Sequence, residues 1–307
     1  MSKDYKGIWP VMYAFWGEDG RLDREAMKRQ IDYCIAMGVH GITVHGLVTE
    51  VHKMDVNERM HLVEMVGDLI GGRTQYAVTV AEPTIKGQVA FSHAAARAGA
   101  DFVILQPPAI KGITQDNLID FFGSVADAVD VDVAIQNNPV NLDVSLSVGS
   151  MIELNRRHPN IGILKGEGFS IDIETVIRGS GGAFKVFGGH GGIEFPALLR
   201  SGGVGLIPAP DYIAGDMQIW RLWEQGGAAN LPLIDRIHAE MLPAIVFMSR
   251  SVPAMLCYGK RLFARQAGIE EVHDRAPFVT PTEFGLEELV RFEAMLARAG
   301  APESLAA

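Results

Sequence analysis

Cysteine is scarce: the 307 residues hold two, Cys34 and Cys257. Neither has a second cysteine at redox or metal-ligand spacing. That excludes a disulfide framework and a cysteine-bound metal, and both read as small buried apolar residues. Basic runs are missing too. Lys and Arg number 27 against 37 Asp and Glu, for a net charge of −10. The charges are dispersed, which excludes a nucleic-acid surface. No apolar run is long enough to span a bilayer, so no membrane partner is expected. The opening Met1-Ser2-Lys3-Asp4-Tyr5 lacks the apolar core of a signal peptide, and the expected compartment is the cytoplasm. No strand is followed by G-x-G-x-x-G, so the dinucleotide fingerprint is absent as well.

Apolar residues are plentiful, at 48% of the chain, enough for a large core. Short β-branched runs alternate with helical periodicity. Strands are predicted at 7–12, 41–46, 75–80, 102–106, 131–136, 161–165, 184–187 and 204–207. The helices between them are predicted at about 24–38, 55–70, 86–98, 114–125, 145–158, 171–178 and 192–200. Beyond the last strand the chain reads as helices only, near 213–225, 231–248, 252–267 and 284–298. Alternation without hairpins demands parallel pairing, and eight such units close a TIM (β/α)8 barrel. The expected organisation is a barrel over 1–226 with a C-terminal helical extension over 227–307.

In a barrel of this kind chemistry gathers at the carboxyl ends of the strands. The predicted ends supply His45, Thr49, Thr79, Glu82, Gln106, Gln136, Asn138, Lys165, Glu167, His190 and Asp211. Lys165 is the one lysine in that ring, with Lys111 further out on a loop. It ends the run Ile161-Gly162-Ile163-Leu164. A lysine at the inner end of a buried strand is costly unless it has a job, and an amine nucleophile is such a job. If the strand continues to Glu167, alternation puts amine and carboxylate on one side. The alternative is a lysine capping the strand in solvent beside a loop glutamate. In the loop Gly46-Leu47-Val48-Thr49-Glu50, backbone N–H groups and the Thr49 hydroxyl are candidates to hold a carboxylate. The spacing of His45, Glu50, His52 and His190 matches no metal-ligand pattern, and no metal is expected.

The order of these motifs resembles the dihydrodipicolinate synthase / N-acetylneuraminate lyase superfamily of Schiff-base lyases over about residues 6–300. The matching features are the Gly46–Glu50 loop after strand two, Gln136-Asn137-Asn138-Pro139 ending strand five, and Lys165 ending strand six. The departures are informative. The family's strand-five tyrosine falls on Gln136, and an amide cannot serve as a phenolic acid or base. The synthase arginine falls on Asn141. Leu47 and Val48 replace the threonine pair of the loop, and Pro107-Pro108-Ala109 replaces a Pro-Tyr stretch. Gln-x-x-Pro with Lys165-Gly166-Glu167 is similar to the L-2-keto-3-deoxyarabonate dehydratase branch; Gly166 and Gly168 are less typical of it.

The resemblance implies a cofactor-free lyase. Lys165 forms an imine with a 2-keto acid, and Glu167 carries the proton. Thr49 and Val48 hold the carboxylate, while Gln136, Asn138 and His190 orient the rest. The expected activity is dehydration of a 2-keto-3-deoxy sugar acid. A pyruvate-releasing aldolase and a catalytically idle keto-acid-binding barrel are the alternatives. The resemblance also implies a homotetramer.

Overall fold

The computed structural model of the chain describes residues 4–301. The apolar runs form β1 (Gly7–Ile8), β2 (Gly41–Val44), β3 (Gln75–Val80), β4 (Phe102–Leu105), β5 (Asp132–Asn137), β6 (Ile161–Gly166), β7 (Lys185–Gly188) and β8 (Gly205–Leu206). All neighbours pair in parallel, in the order β1-β8-β7-β6-β5-β4-β3-β2. Between them run α1 (Arg24–Ala36), α2 (Val56–Ile70), α3 (Ile85–Arg97), α4 (Gln115–Ala126), α5 (Val148–Arg157), α6 (Ser170–Gly179) and α7 (Phe195–Arg200), and α8 (Ile213–Gly226) follows β8. This is the TIM barrel expected from the alternation.

The first strand is shorter than the predicted 7–12, and Pro10 is the reason. Trp9 and Val11 donate their N–H groups to Leu206 and Pro208 on the β8 side. The alternate residues face β2, and there proline has no N–H to give. Met12 N–H still reaches Thr43, and Thr43 N–H reaches the Pro10 carbonyl. The barrel therefore closes through a single bridge, Val11 to Thr43, rather than a full ladder. On the other seam, β1 and β8 run very close. A Cβ at Gly205 would stand 2.0 Å from the Gly7 carbonyl oxygen, so this position needs glycine.

Helix starts follow their caps. Asp23 accepts from Glu25 and Ala26 N–H, and Asp55 makes a full capping box with Glu58. Thr84 and Thr114 cap α3 and α4. The helix predicted over 145–158 starts later, at Val148, because Ser147 is its cap. The helix predicted from 192 starts at Phe195. His190, Gly191 and Gly192 before it have φ of 50°, 64° and 73°, which no right-handed helix accepts.

Beyond Gly226 the chain is a helical part: α9 (Leu231–Met248), α10 (Val252–Ala254), α11 (Lys260–Gln266) and α12 (Glu283–Gly300). The segment predicted over 252–267 is continuous but winds as a π-helix at Met255–Gly259. Helices α9 and α12 pack on α8 and on each other. Residues 1–3 and 302–307 of the expected 1–226 and 227–307 spans lie outside the described residues. No single described helix is long and apolar enough to cross a membrane. Cys34 and Cys257 are both buried.

Candidate active site

Strands β5 and β6 run in register, with Gln136 beside Lys165 and Asn137 beside Gly166. Glu167 lies one residue past β6, yet its N–H still reaches the Asn137 carbonyl at 2.9 Å. The extended backbone therefore continues, and alternation turns Lys165 and Glu167 to the same side. Lys165 Nζ stands 3.7 Å from Glu167 Oε1, with side chains only 5% and 7% exposed. The solvent-capping alternative for Lys165 does not hold.

The carboxylate of Glu167 is held from two sides. Gln136 Nε2 donates to Oε2 at 2.5 Å, and the His190 backbone N–H donates to Oε1 at 3.2 Å. His190 reaches this position with φ at 50°, an uncommon conformation for a residue with a Cβ. Gly189 makes room for the arrangement. A Cβ there would come within 2.4 Å of Glu167 Oε1.

The cavity over Lys165 is lined by Leu47, Val48, Asn141, Glu167 and His190, with Val252 and Met255 from the C-terminal helices. Of the residues expected in the site, Val48, Lys165, Glu167 and His190 meet there. Gln136 touches it through Glu167. Thr49 does not line the cavity. It is fully buried, and its hydroxyl donates to the Met12 carbonyl at 2.7 Å, tying the β2 loop to the end of the first strand segment. Asn138 is also set back. Its Oδ1 accepts from the Asn141 N–H at 2.9 Å and so shapes the loop that presents Asn141. Through these bonds Thr49 and Asn138 support the loops that line the cavity.

The remaining strand-end polar groups serve elsewhere. His45, with φ at 67°, packs on the Phe91 ring at 5.3 Å, and burial together with Arg59 lowers its pKa to about 3. Glu50 is enclosed by two buried lysines: Lys53 at 2.5 Å and Lys260 from α11. Among the described residues no three His, Cys, Asp or Glu side chains are placed to hold a metal.

Asp211 turns inward, where Tyr13 Oη donates to its Oδ1 at 3.0 Å. Burial raises its pKa from 3.8 to about 6. Asp216, raised by burial and by Asp211, lies close by. A carboxyl raised on folding holds its proton more tightly in the native chain. Stability contributed by that proton is full below pH 4 and is lost as pH rises through about 6. Asp211→Asn keeps an acceptor for Tyr13 and removes the dependence. Relative to wild type, the variant is expected to gain about 3 kcal/mol between pH 4 and pH 7, read by urea unfolding at both values.

Asn141, singled out in the sequence as a departure, lines the cavity because of the turn after β5. Two features had no reading in the sequence. Gly189 gives clearance to a carboxylate 22 positions earlier. The other is the pairing of Glu50 with Lys260, 210 positions apart. Only Gly189 carried a hint, in the run Gly188-Gly189-His190-Gly191-Gly192.

The family model described as "Dihydrodipicolinate synthetase family" matches residues 4–292. A probable 2-dehydro-3-deoxy-D-pentonate aldolase, YjhH of Escherichia coli, is 26% identical over 262 residues, covering 83% of this chain and 86% of that one. The 4-hydroxy-tetrahydrodipicolinate synthase of Acidiphilium cryptum is 29% identical over 239 residues, covering 74% and 81%. Among solved structures, the sialic acid aldolase of Ruminococcus gnavus superposes with a TM-score of 0.84. It is 22% identical, with 96% of this chain and 98% of that chain covered. At that identity the likeness speaks for the fold alone. The family model, matched almost end to end on a parallel eight-stranded barrel, assigns the chain to the dihydrodipicolinate synthetase family.

Proposed function

We propose that this member of a lyase family forms a Schiff base with a 2-keto acid on Lys165 and dehydrates a 2-keto-3-deoxy sugar acid. The observation that carries the reading is the 3.7 Å spacing of Lys165 Nζ and Glu167 Oε1, with an amide, Gln136, where a phenol would otherwise stand. The amine attacks the C2 ketone and water leaves, giving an iminium. That cation draws electrons from the C3–H bond. Glu167 takes the C3 proton and an enamine forms. The C4 hydroxyl then departs with a proton as water, leaving a C3–C4 double bond conjugated to the iminium. Hydrolysis frees the product and restores the amine. Proton transfer by a positioned carboxylate supplies roughly 10²- to 10⁴-fold. Because Thr49 gives its hydroxyl to Met12, carboxylate anchoring falls to the loop backbone around Val48. Asn141 and His190 face the rest of the substrate.

The second reading is an aldolase that releases pyruvate from the same imine, favoured by the name of the E. coli relative. It needs a base on the C4 hydroxyl, and Gln136 cannot be that base. A panel of 2-keto-3-deoxy acids with direct product detection separates the two. Dehydration yields one product with the carbon chain intact; cleavage yields pyruvate and an aldehyde. An unchanged panel in the presence of a trapped imine would leave a keto-acid-binding barrel without turnover. The reading includes a homotetramer, for which light scattering in solution is the check.

A further inference from the structure

Behind Glu167 lies a chain of buried amides that the chemistry above does not use. Gln136 Nε2 donates to Glu167 Oε2 at 2.5 Å, and Gln106 Nε2 donates to Gln136 Oε1 at 2.8 Å. Gln106 is held in turn. Its backbone N–H donates to the Val80 carbonyl, and its own carbonyl accepts from Gln88 Nε2 at 2.8 Å. Gln88 also donates to the Glu82 carbonyl at 3.0 Å, which fixes its position. All three side chains are buried.

The direction of this chain is forced. A carboxylate only accepts, so Gln136 must turn its NH2 toward Glu167. Its carbonyl then faces Gln106, which must also present NH2. Each amide leaves its neighbour one orientation. Neither can take up a proton, so the chain conducts none away.

We propose that Gln106, acting through Gln136, is a positioning residue that reserves Glu167 Oε1 for the substrate proton. The inference rests on the Schiff-base reading. Oε2 takes the short 2.5 Å bond from the amide, whereas Oε1 takes the longer 3.2 Å bond from the His190 backbone N–H, so Oε1 is the more basic oxygen left for the C3 proton. That oxygen is the one 3.7 Å from Lys165 Nζ. A charge-assisted hydrogen bond also resists rotation of the carboxylate, which keeps Oε1 aimed at C3.

Pyruvate is a sufficient probe, because its imine exposes the methyl protons to the same base. Two readouts separate binding from proton transfer: borohydride trapping as a function of pyruvate concentration, and exchange of methyl protons in heavy water followed by NMR. Gln106→Leu is expected to leave the half-saturating pyruvate concentration for trapping unchanged and to slow exchange about tenfold. Gln136→Leu, one step nearer, is expected to slow exchange about 100-fold. In a Glu167→Ala background, Q106L is expected to add no further loss, since its effect passes through Glu167.

Exchange at the wild-type rate in Q106L overturns the proposal. So does an equal loss in the Glu167→Ala background, which marks a merely structural role. Should Q106L fail to fold, Gln136→Met breaks the same chain and is read the same way. Wild-type protein that traps no pyruvate overturns the Schiff-base reading itself, and the positioning role with it. Trapping with unaltered exchange in the variants overturns the positioning role alone.

Discussion

Lys165→Arg is expected to abolish turnover and borohydride trapping together, with the fold retained. Arginine keeps a positive charge opposite Glu167, so the buried carboxylate is not left facing an apolar side chain. It stays protonated under all working conditions and cannot attack a ketone. Without the imine there is no electron sink beside C3, and Glu167 faces the proton of a plain ketone. The loss is expected to be on the order of 10⁴-fold or more, the scale of removing a covalent step outright. Product formation and adduct mapping check the chemistry, and a melting curve checks the fold. The comparison with Glu167→Gln is instructive. That variant is expected to trap pyruvate and yet lose roughly 10²- to 10⁴-fold in proton exchange.

The second large effect is on stability. Glu50 sits in a left-handed turn at the end of the loop that presents Val48, with φ at 58°. Its carboxylate lies between the ammonium groups of Lys53 and Lys260, whose side chains are 4% and 0% exposed. Lys260 has further support from Asp274 at 3.9 Å, which is itself shared with Arg261. Glu50→Gln preserves shape and removes the charge that both lysines face. Breaking a buried ion pair on one side costs about 3–5 kcal/mol; here the two lysines lose their nearest counter-charge and keep only Asp274 at 3.9 Å and the Arg275 carbonyl at 2.8 Å. A loss of that size is expected in urea unfolding, and activity is expected to fall with it as the loop loosens.

The pH dependence carries a sign. Burial lowers the pKa of Lys260, and Glu50 opposes that effect. Without Glu50 the lowering is opposed only by the more distant Asp274. A lysine depressed on folding binds fewer protons in the native than in the unfolded chain. Stability therefore rises with pH across that window. The deficit of the variant is expected to shrink as pH is raised from neutral toward the usual lysine range.

Much of the architecture was legible because local chemistry and global fold agree. Helices α1 to α4 begin within about two residues of where periodicity predicts them, at Asp23, Asp55, Thr84 and Thr114 as caps. The run from Gln75 to Val80 became a strand of the predicted length. Departures came where a side chain or backbone met something distant. Pro10 lacks the N–H that the β2 side of its strand requires, and the first strand shortens. The positive φ values after β7 delay the next helix. In the site, Lys165 and Glu167 could be paired from alternation alone, since that is a property of one strand. Thr49 could not be placed. Whether a loop hydroxyl points at a cavity or at a neighbouring carbonyl depends on Met12, 37 positions earlier. The same holds for Gln106 and Gln136. Each ends a strand, but only the adjacency of β4 and β5 brings them together.

One measurement bears most directly on the claim that Lys165 is the amine that condenses with substrate. Wild-type protein is incubated with pyruvate and borohydride, digested, and mapped by mass spectrometry. The account requires a reduced adduct on the peptide that carries Lys165, absent when borohydride or pyruvate is omitted and absent in Lys165→Arg. A wild-type protein that turns over a keto acid while that peptide stays unmodified would contradict it.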